Sequence, residues 1–132
     1  MLTFENMRIS FLTLIIILTL SELAYGGVVI TDKGINNIGS MTAYIMKCET
    51  EKYIPLGTTS DFVIRIRKAF AKKNSDAIML AYQNALHSKK IYSPSKDAWF
   101  DMQIDKKSCN SIEKVIPSLD DFMKKMANEY PN

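Results

Sequence analysis

Cysteine, histidine, tryptophan and glycine are all scarce in this chain, and each scarcity closes off a class of function. Among 132 residues there are two cysteines, one histidine, one tryptophan, five glycines and four prolines. Two thiols and the lone imidazole of His87, far apart in sequence, do not match the ligand spacing of a structural zinc site. No glycine-rich phosphate loop, no Gly-x-Ser-x-Gly turn and no defensible paired-carboxylate motif is present, so the common nucleotide-binding and hydrolase signatures are missing. Internal repeats and low-complexity tracts are absent as well. Long apolar runs are equally rare. The longest, Phe11–Leu20, has ten residues, two of them Thr, well short of the ~20 that a membrane-spanning helix needs.

That run sits in an informative place. A short polar start ending in Arg8 precedes it, and the small residues Ala24 and Gly26 follow it before Gly27. A positive end, an apolar stretch of ~7–15 residues and a small-residue cleavage site are the three parts of a secretory signal peptide. We therefore read residues 1–26 as a cleaved leader, with Met7 as an alternative start because Glu5 weakens the positive end. No cysteine follows the apolar stretch, so a lipoprotein anchor is not indicated. Residues 27–132 then form one soluble domain, periplasmic or secreted, with no integral membrane segment. Without the leader the chain has 16 basic and 12 acidic residues, a charge of +4. This mild basicity aids solubility and does not imply a nucleic-acid partner.

Export changes the reading of Cys48 and Cys109. In an oxidising compartment an even cysteine count favours a disulfide. A Cys–His catalytic pair would need a free thiol, against that compartment. Closing a loop of this length contributes ~4 kcal/mol in the chain-entropy model, a large share for a domain near the lower size limit of a self-sufficient core.

The remaining pattern is helical. Ile35, Ile38, Met41, Ile45 and Cys48 recur at steps of three and four, with Thr31 or Asp32 as cap. Pro55 and Gly57 mark a turn, and Thr58–Asp61 offers capping chemistry for a second helix over about 61–73. Phe62, Val63, Ile66, Ala69 and Phe70 share one side of that helix. Asn74-Ser75-Asp76 reads as both its end and the cap of a third, carrying Ile78, Ala81, Tyr82, Ala85 and Leu86. Such a short link predicts an antiparallel pairing of helices two and three. His87–Lys96 reads as a polar connector with a turn at Ser93-Pro94-Ser95, and 97–105 as a helical turn or an extended segment. Cys109, Ile112, Val115 and Ile116 mark a fourth helix stopped by Pro117. A last one carries Leu119, Phe122, Met123, Met126 and Tyr130. The expected fold is all-α, a compact bundle of four to five short helices with one disulfide joining the first helix to the fourth.

Two surfaces are candidates for binding a protein partner. Arg65, Lys68 and Lys72, with Arg67 and Lys73 nearby, group on one side of the second helix. Lysine outnumbers arginine 14 to 3, whereas bidentate phosphate recognition prefers arginine, so a solvated face competes with an acidic partner. Trp99 and Phe100, with Tyr92, are the aromatic concentration suited to anchor a partner if exposed. Asp97, Asp101 and Asp105 would align along a helix, but calcium loops place their oxygens more densely and need a Gly turn. His87 has no carboxylate and nucleophile to work with. The methionines fit helix faces, as adaptable core or a contact groove.

Cys48, the Ala77, Ala81-Tyr82, Ala85 pattern and Cys109-Asn-Ser-Ile112 give the stretch 44–117 a resemblance to small exported helical proteins of alphaproteobacteria with one early and one late cysteine. The Lys/Ile-rich bias is also similar to Sec-exported effectors of host-restricted bacteria in that group. The resemblance carries no catalytic residues across, and the residues themselves point to no cofactor or metal. The sequence thus points to a non-enzymatic secreted interaction module, an effector acting on a host protein. A resident periplasmic chaperone-like or envelope-assembly helper with a methionine-lined groove is the alternative, and a small hydrolase a distant third.

Overall fold

Thr31 begins the first helix as expected. Its side chain accepts the Gly34 N–H at 3.1 Å, and Asp32 lies in the first turn, where a negative charge suits the helix dipole. The computed structural model describes residues 30–121 and Met123. The expected leader, residues 1–26, and Phe122, Met126 and Tyr130 of the expected last helix lie outside the described residues. Within them run α1 (Asp32–Thr50), α2 (Thr58–Ala69), α3 (Lys72–Ser88), β1 (Lys90–Ser93), β2 (Ala98–Asp101) and α4 (Lys106–Glu113). A single 3-10 turn, Ile116–Ser118, follows, and helical backbone resumes at Leu119.

The fold is mostly helical, but it is not all-α. The polar connector and the undecided 97–105 stretch form an antiparallel hairpin, with Tyr92 opposite Trp99 and Ile91 opposite Phe100. Each strand has four residues, too few for alternation to announce it. α1 holds the hairpin from outside: the buried Ser40 hydroxyl accepts the Tyr92 N–H at 3.1 Å, and the Tyr44 hydroxyl donates to the Gln103 carbonyl at 3.0 Å. Strand formation here is a tertiary effect.

α1 is the hub. α3 crosses it, α2 and β1 pack beside it, and α4 docks near its end. The expected α2–α3 pairing is minor, because both helices turn their apolar faces to α1 rather than to each other. Phe62 and Ile66 of α2, Ile78 of α3 and Ile38, Ile45 and Cys48 of α1 meet in one core with Cys109, Leu119 and Met123. At the crossing, Gly39 of α1 abuts Ala81 and Tyr82 of α3 so closely that an added Cβ would lie 2.6 Å from the Ala81 Cβ.

Two caps differ from expectation. α2 starts after Gly57, whose φ of 94° is the left-handed conformation that glycine adopts freely. The first-turn Thr59 N–H is satisfied by the Glu49 carboxylate at 3.1 Å, reaching across from α1. The Thr58 hydroxyl instead donates back to the Pro55 carbonyl. α3 starts after Ala71, so Asn74, Ser75 and Asp76 lie inside its first turns rather than at the junction. Ser75 is buried there, donating to the Lys72 carbonyl and accepting from Arg67.

The expected disulfide is formed. Cys48 near the end of α1 and Cys109 in α4 are joined with Cα atoms 5.6 Å apart, and both residues are fully buried. Among the described residues no helix is long and apolar enough to cross a membrane.

Candidate functional site: an exposed aromatic hairpin

Hydrogen-bond alternation fixes which way each strand residue faces. The Met102 N–H donates to the Lys89 carbonyl at 2.9 Å, so alternation makes Ile91–Phe100 and Ser93–Ala98 the bonded pairs, and Tyr92–Trp99 and Lys90–Asp101 the unbonded ones. Residues of unbonded pairs direct their amides and carbonyls away from the partner strand. For Tyr92 that direction leads to Ser40. For Trp99 and Asp101 it leads to the outer edge of β2, which pairs with no other strand among the described residues.

Side chains in unbonded pairs approach most closely. The Tyr92 and Trp99 rings accordingly lie 5.2 Å apart between centroids, tilted by 55°, and Lys90 meets Asp101 at 2.8 Å on the same face. Phe100 projects from the opposite face, with the Lys96 ammonium 5.3 Å from its ring centre. Trp99 is 39% exposed and Phe100 43% exposed. The other exposed large apolar side chains, Leu56, Ile64 and Leu80, are scattered singly over the turn before α2, α2 and α3, as is ordinary for protein surfaces. Among the described residues only the hairpin presents two adjacent aromatic rings beside an unpaired strand edge.

The loop supports this arrangement. The Asp97 N–H donates to the Pro94 carbonyl at 3.3 Å, and Asp97 itself has a φ of 46°. The Tyr92 hydroxyl donates to the Asp97 carboxylate. This bond, with burial and the neighbouring negative charge, pushes the Tyr92 hydroxyl up to about 12 from 10.0. Because the folded value lies above the unfolded one, the resulting stability is fully present below about pH 10 and is lost as pH rises through about 12. Phenolate absorbance is therefore expected to show Tyr92 ionising late, and Asp97→Asn to move one late step earlier. An unchanged titration in that variant would exclude the bond.

The other sequence candidates resolve differently. Lys72 and Lys73 are not on α2, which ends at Ala69, but open α3. Arg65 of α2 pairs with Asp61 at 3.1 Å and Asp120 at 3.7 Å, and Asp76 of α3 takes both Arg67 and Lys72. Hydrogen bonds from Lys72, then Arg67, hold the Asp76 carboxyl below its usual value. The basic face is thus largely neutralised by its own chain. Lys68 lies on it without an ion pair among the described residues, beside a cleft that it lines with Asp61, Ile64, Arg65, Ala69 and Asp120. Asp97, Asp101 and Asp105 are not aligned on a helix: they lie in the loop, at the end of β2 and at the cap of α4, with Tyr92, Lys90 and Ser108 as separate partners. His87 is exposed in the last turn of α3. No group of three or more His, Cys, Asp or Glu among the described residues is placed to hold a metal ion. The methionines disperse: Met41, Met79 and Met102 pack against the core from separate elements, and Met123 is inside it.

What sequence reasoning missed was the strand context of Trp99 and Phe100. The signal available was the Ser93–Asp97 turn between two short aromatic-containing runs. Compared with known protein-family models, curated proteins and solved structures, the chain matches none of them.

Proposed function

We propose that this chain is an exported, disulfide-locked module that binds another protein through its hairpin and carries out no chemistry of its own. The observation that carries the reading is the pairing of exposed Trp99 and Phe100 with the open outer edge of β2. An extended partner segment laid along that edge would gain main-chain hydrogen bonds from Trp99 and Asp101, with one ring on each side. Aromatic side chains dominate the energetics of such contacts. In this reading the partner is a protein met after export, as for a secreted effector, and residues 1–26 serve as the export signal.

The test is affinity capture by the oxidised chain from Gly27 onward, compared with a Trp99→Ala/Phe100→Ala variant. Loss of two anchoring rings costs ~2 kcal/mol or more, about a 30-fold loss of affinity. A Lys68→Glu/Lys72→Glu variant should retain its partner, because neither lysine lies on the hairpin. Retention by the aromatic variant with loss in the charge-reversed one would transfer the site to the basic surface where α2 meets α3. Recovery of the native protein from the periplasm alone would count against an effector and for a resident helper.

A further inference from the structure

A second surface, independent of the hairpin, joins two features that lie on different sides of the same helix in the sequence pattern. Lys106, Lys107, Asn110, Ser111 and Lys114 fall at steps of three and four and line one open cleft along α4. None of the three lysines has an ion-pair partner within 4.0 Å among the described residues. Asp105 senses the Lys107 charge, but its carboxylate is already committed to the Ser108 N–H at 2.8 Å and the Ser108 hydroxyl at 3.1 Å. Among the described residues α4 thus presents three unpaired cations along one cleft, whereas Lys68 is the one unpaired cation of α2.

Ser111 belongs to this cleft and also to an apolar recess of about 140 Å³, lined further by Met41, Ile45, Ile112, Val115 and Leu119. Lys107 and Lys114 flank Ser111 at helical neighbour positions, and Lys114 continues the α-helical backbone as the last cap residue. An apolar cavity of ~150 Å³ takes a benzene-sized group, so this recess suits the leading methylenes of an acyl chain. Cations at the mouth select the charge of its head. A flat bilayer would call for protruding apolar side chains, whereas Ile45 and Leu119 are 1% and 2% exposed and form a wall.

We propose that the recess and the lysines at its mouth bind the carboxylate-headed end of a single long acyl chain. The carboxylate sits between Lys107 and Lys114, and the adjoining methylenes lie against Ile112, Val115 and Met41. The test is calorimetric titration of the chain from Gly27 onward with dodecanoate and dodecyltrimethylammonium, each below its micelle concentration, and with 1-dodecanol below its solubility limit. Dodecanoate is expected to bind one to one, about tenfold tighter than the cationic amphiphile, with 1-dodecanol between them. In Lys107→Glu/Lys114→Glu, at two exposed positions and with circular dichroism checking that the fold is retained, the preference should invert. Trp99→Ala/Phe100→Ala should bind dodecanoate as the unaltered chain does. Equal binding of both head groups, an unchanged preference in the charge-reversed variant, or loss in the aromatic variant would overturn the site. Flotation with phosphatidylglycerol vesicles, or capture of a glutamate-rich peptide, without dodecanoate binding would overturn it in favour of a membrane or a peptide.

Discussion

Replacing Cys48 and Cys109 together by alanine is expected to remove about 4 kcal/mol of unfolding free energy. The two residues are separated by 61 positions, and the chain-entropy model assigns a closed loop of that size roughly this contribution. The loop encloses α2, α3 and the hairpin, so the unbridged denatured chain regains freedom across most of the domain. Set against a total stability of ~5–15 kcal/mol, and ~4–8 °C per kcal/mol for a domain of this size, the midpoint should fall by roughly 15–30 °C. Urea unfolding followed by circular dichroism measures the difference directly, and the reduced natural protein should behave like the variant. Because both sulfurs are fully buried, reduction should wait on opening of the fold. A loss below about 1 kcal/mol would mean that the denatured chain is already compact without the bridge.

Gly39→Ala is expected to destabilise the protein by about 1–3 kcal/mol or more, against the usual rule that alanine improves a helix interior by ~1 kcal/mol. The reason is the α1–α3 crossing. The new methyl carbon would lie 2.6 Å from the Ala81 Cβ, 2.9 Å from the Tyr82 nitrogen and 3.0 Å from the Ala81 carbonyl carbon. Two of these three neighbours are backbone, which cannot rotate away. Ala81→Gly in the same chain should therefore restore only part of the loss, and Gly39→Val should prevent folding. Denaturant midpoints for the single and double variants test this. A neutral or stabilising Gly39→Ala would show that the two helices cross with slack.

Much of the helical layout was legible because each helix repeats its apolar residues at steps of three and four. Ile38, Ile45 and Cys48 of α1 and Ile78, Ala81 and Ala85 of α3 are buried where that spacing places them. The disulfide followed from cysteine number and the reading of export. The hairpin was not legible, since strands of four residues are too short for alternation to show. Part of what holds them, Ser40 to Tyr92 and Tyr44 to Gln103, comes from a helix far away in sequence. The pairing of the cations on α2 and at the start of α3 was half legible. Asp61–Arg65 and Lys72–Asp76 have the helical i, i+4 spacing, but Arg67–Asp76 spans the junction between two helices. Gly39 carried no signal about its neighbour, because the sequence does not say which helix crosses there.

The Glu49–Thr59 bond and the Gly39 crossing also bear on the order in which the domain assembles. A polypeptide is made from its amino end, so α1 is complete before any of the surfaces that cover it exist. Its glycine notch stays open until Ala81 and Tyr82 have been synthesised, and its cysteine has no mate until residue 109 arrives. The packing of α1 against α3, β1 and α4 joins early residues to late ones, and such long-range contacts are the slow ones to close. Nascent chains should remain open to proteases and holding chaperones until almost the whole sequence has been delivered.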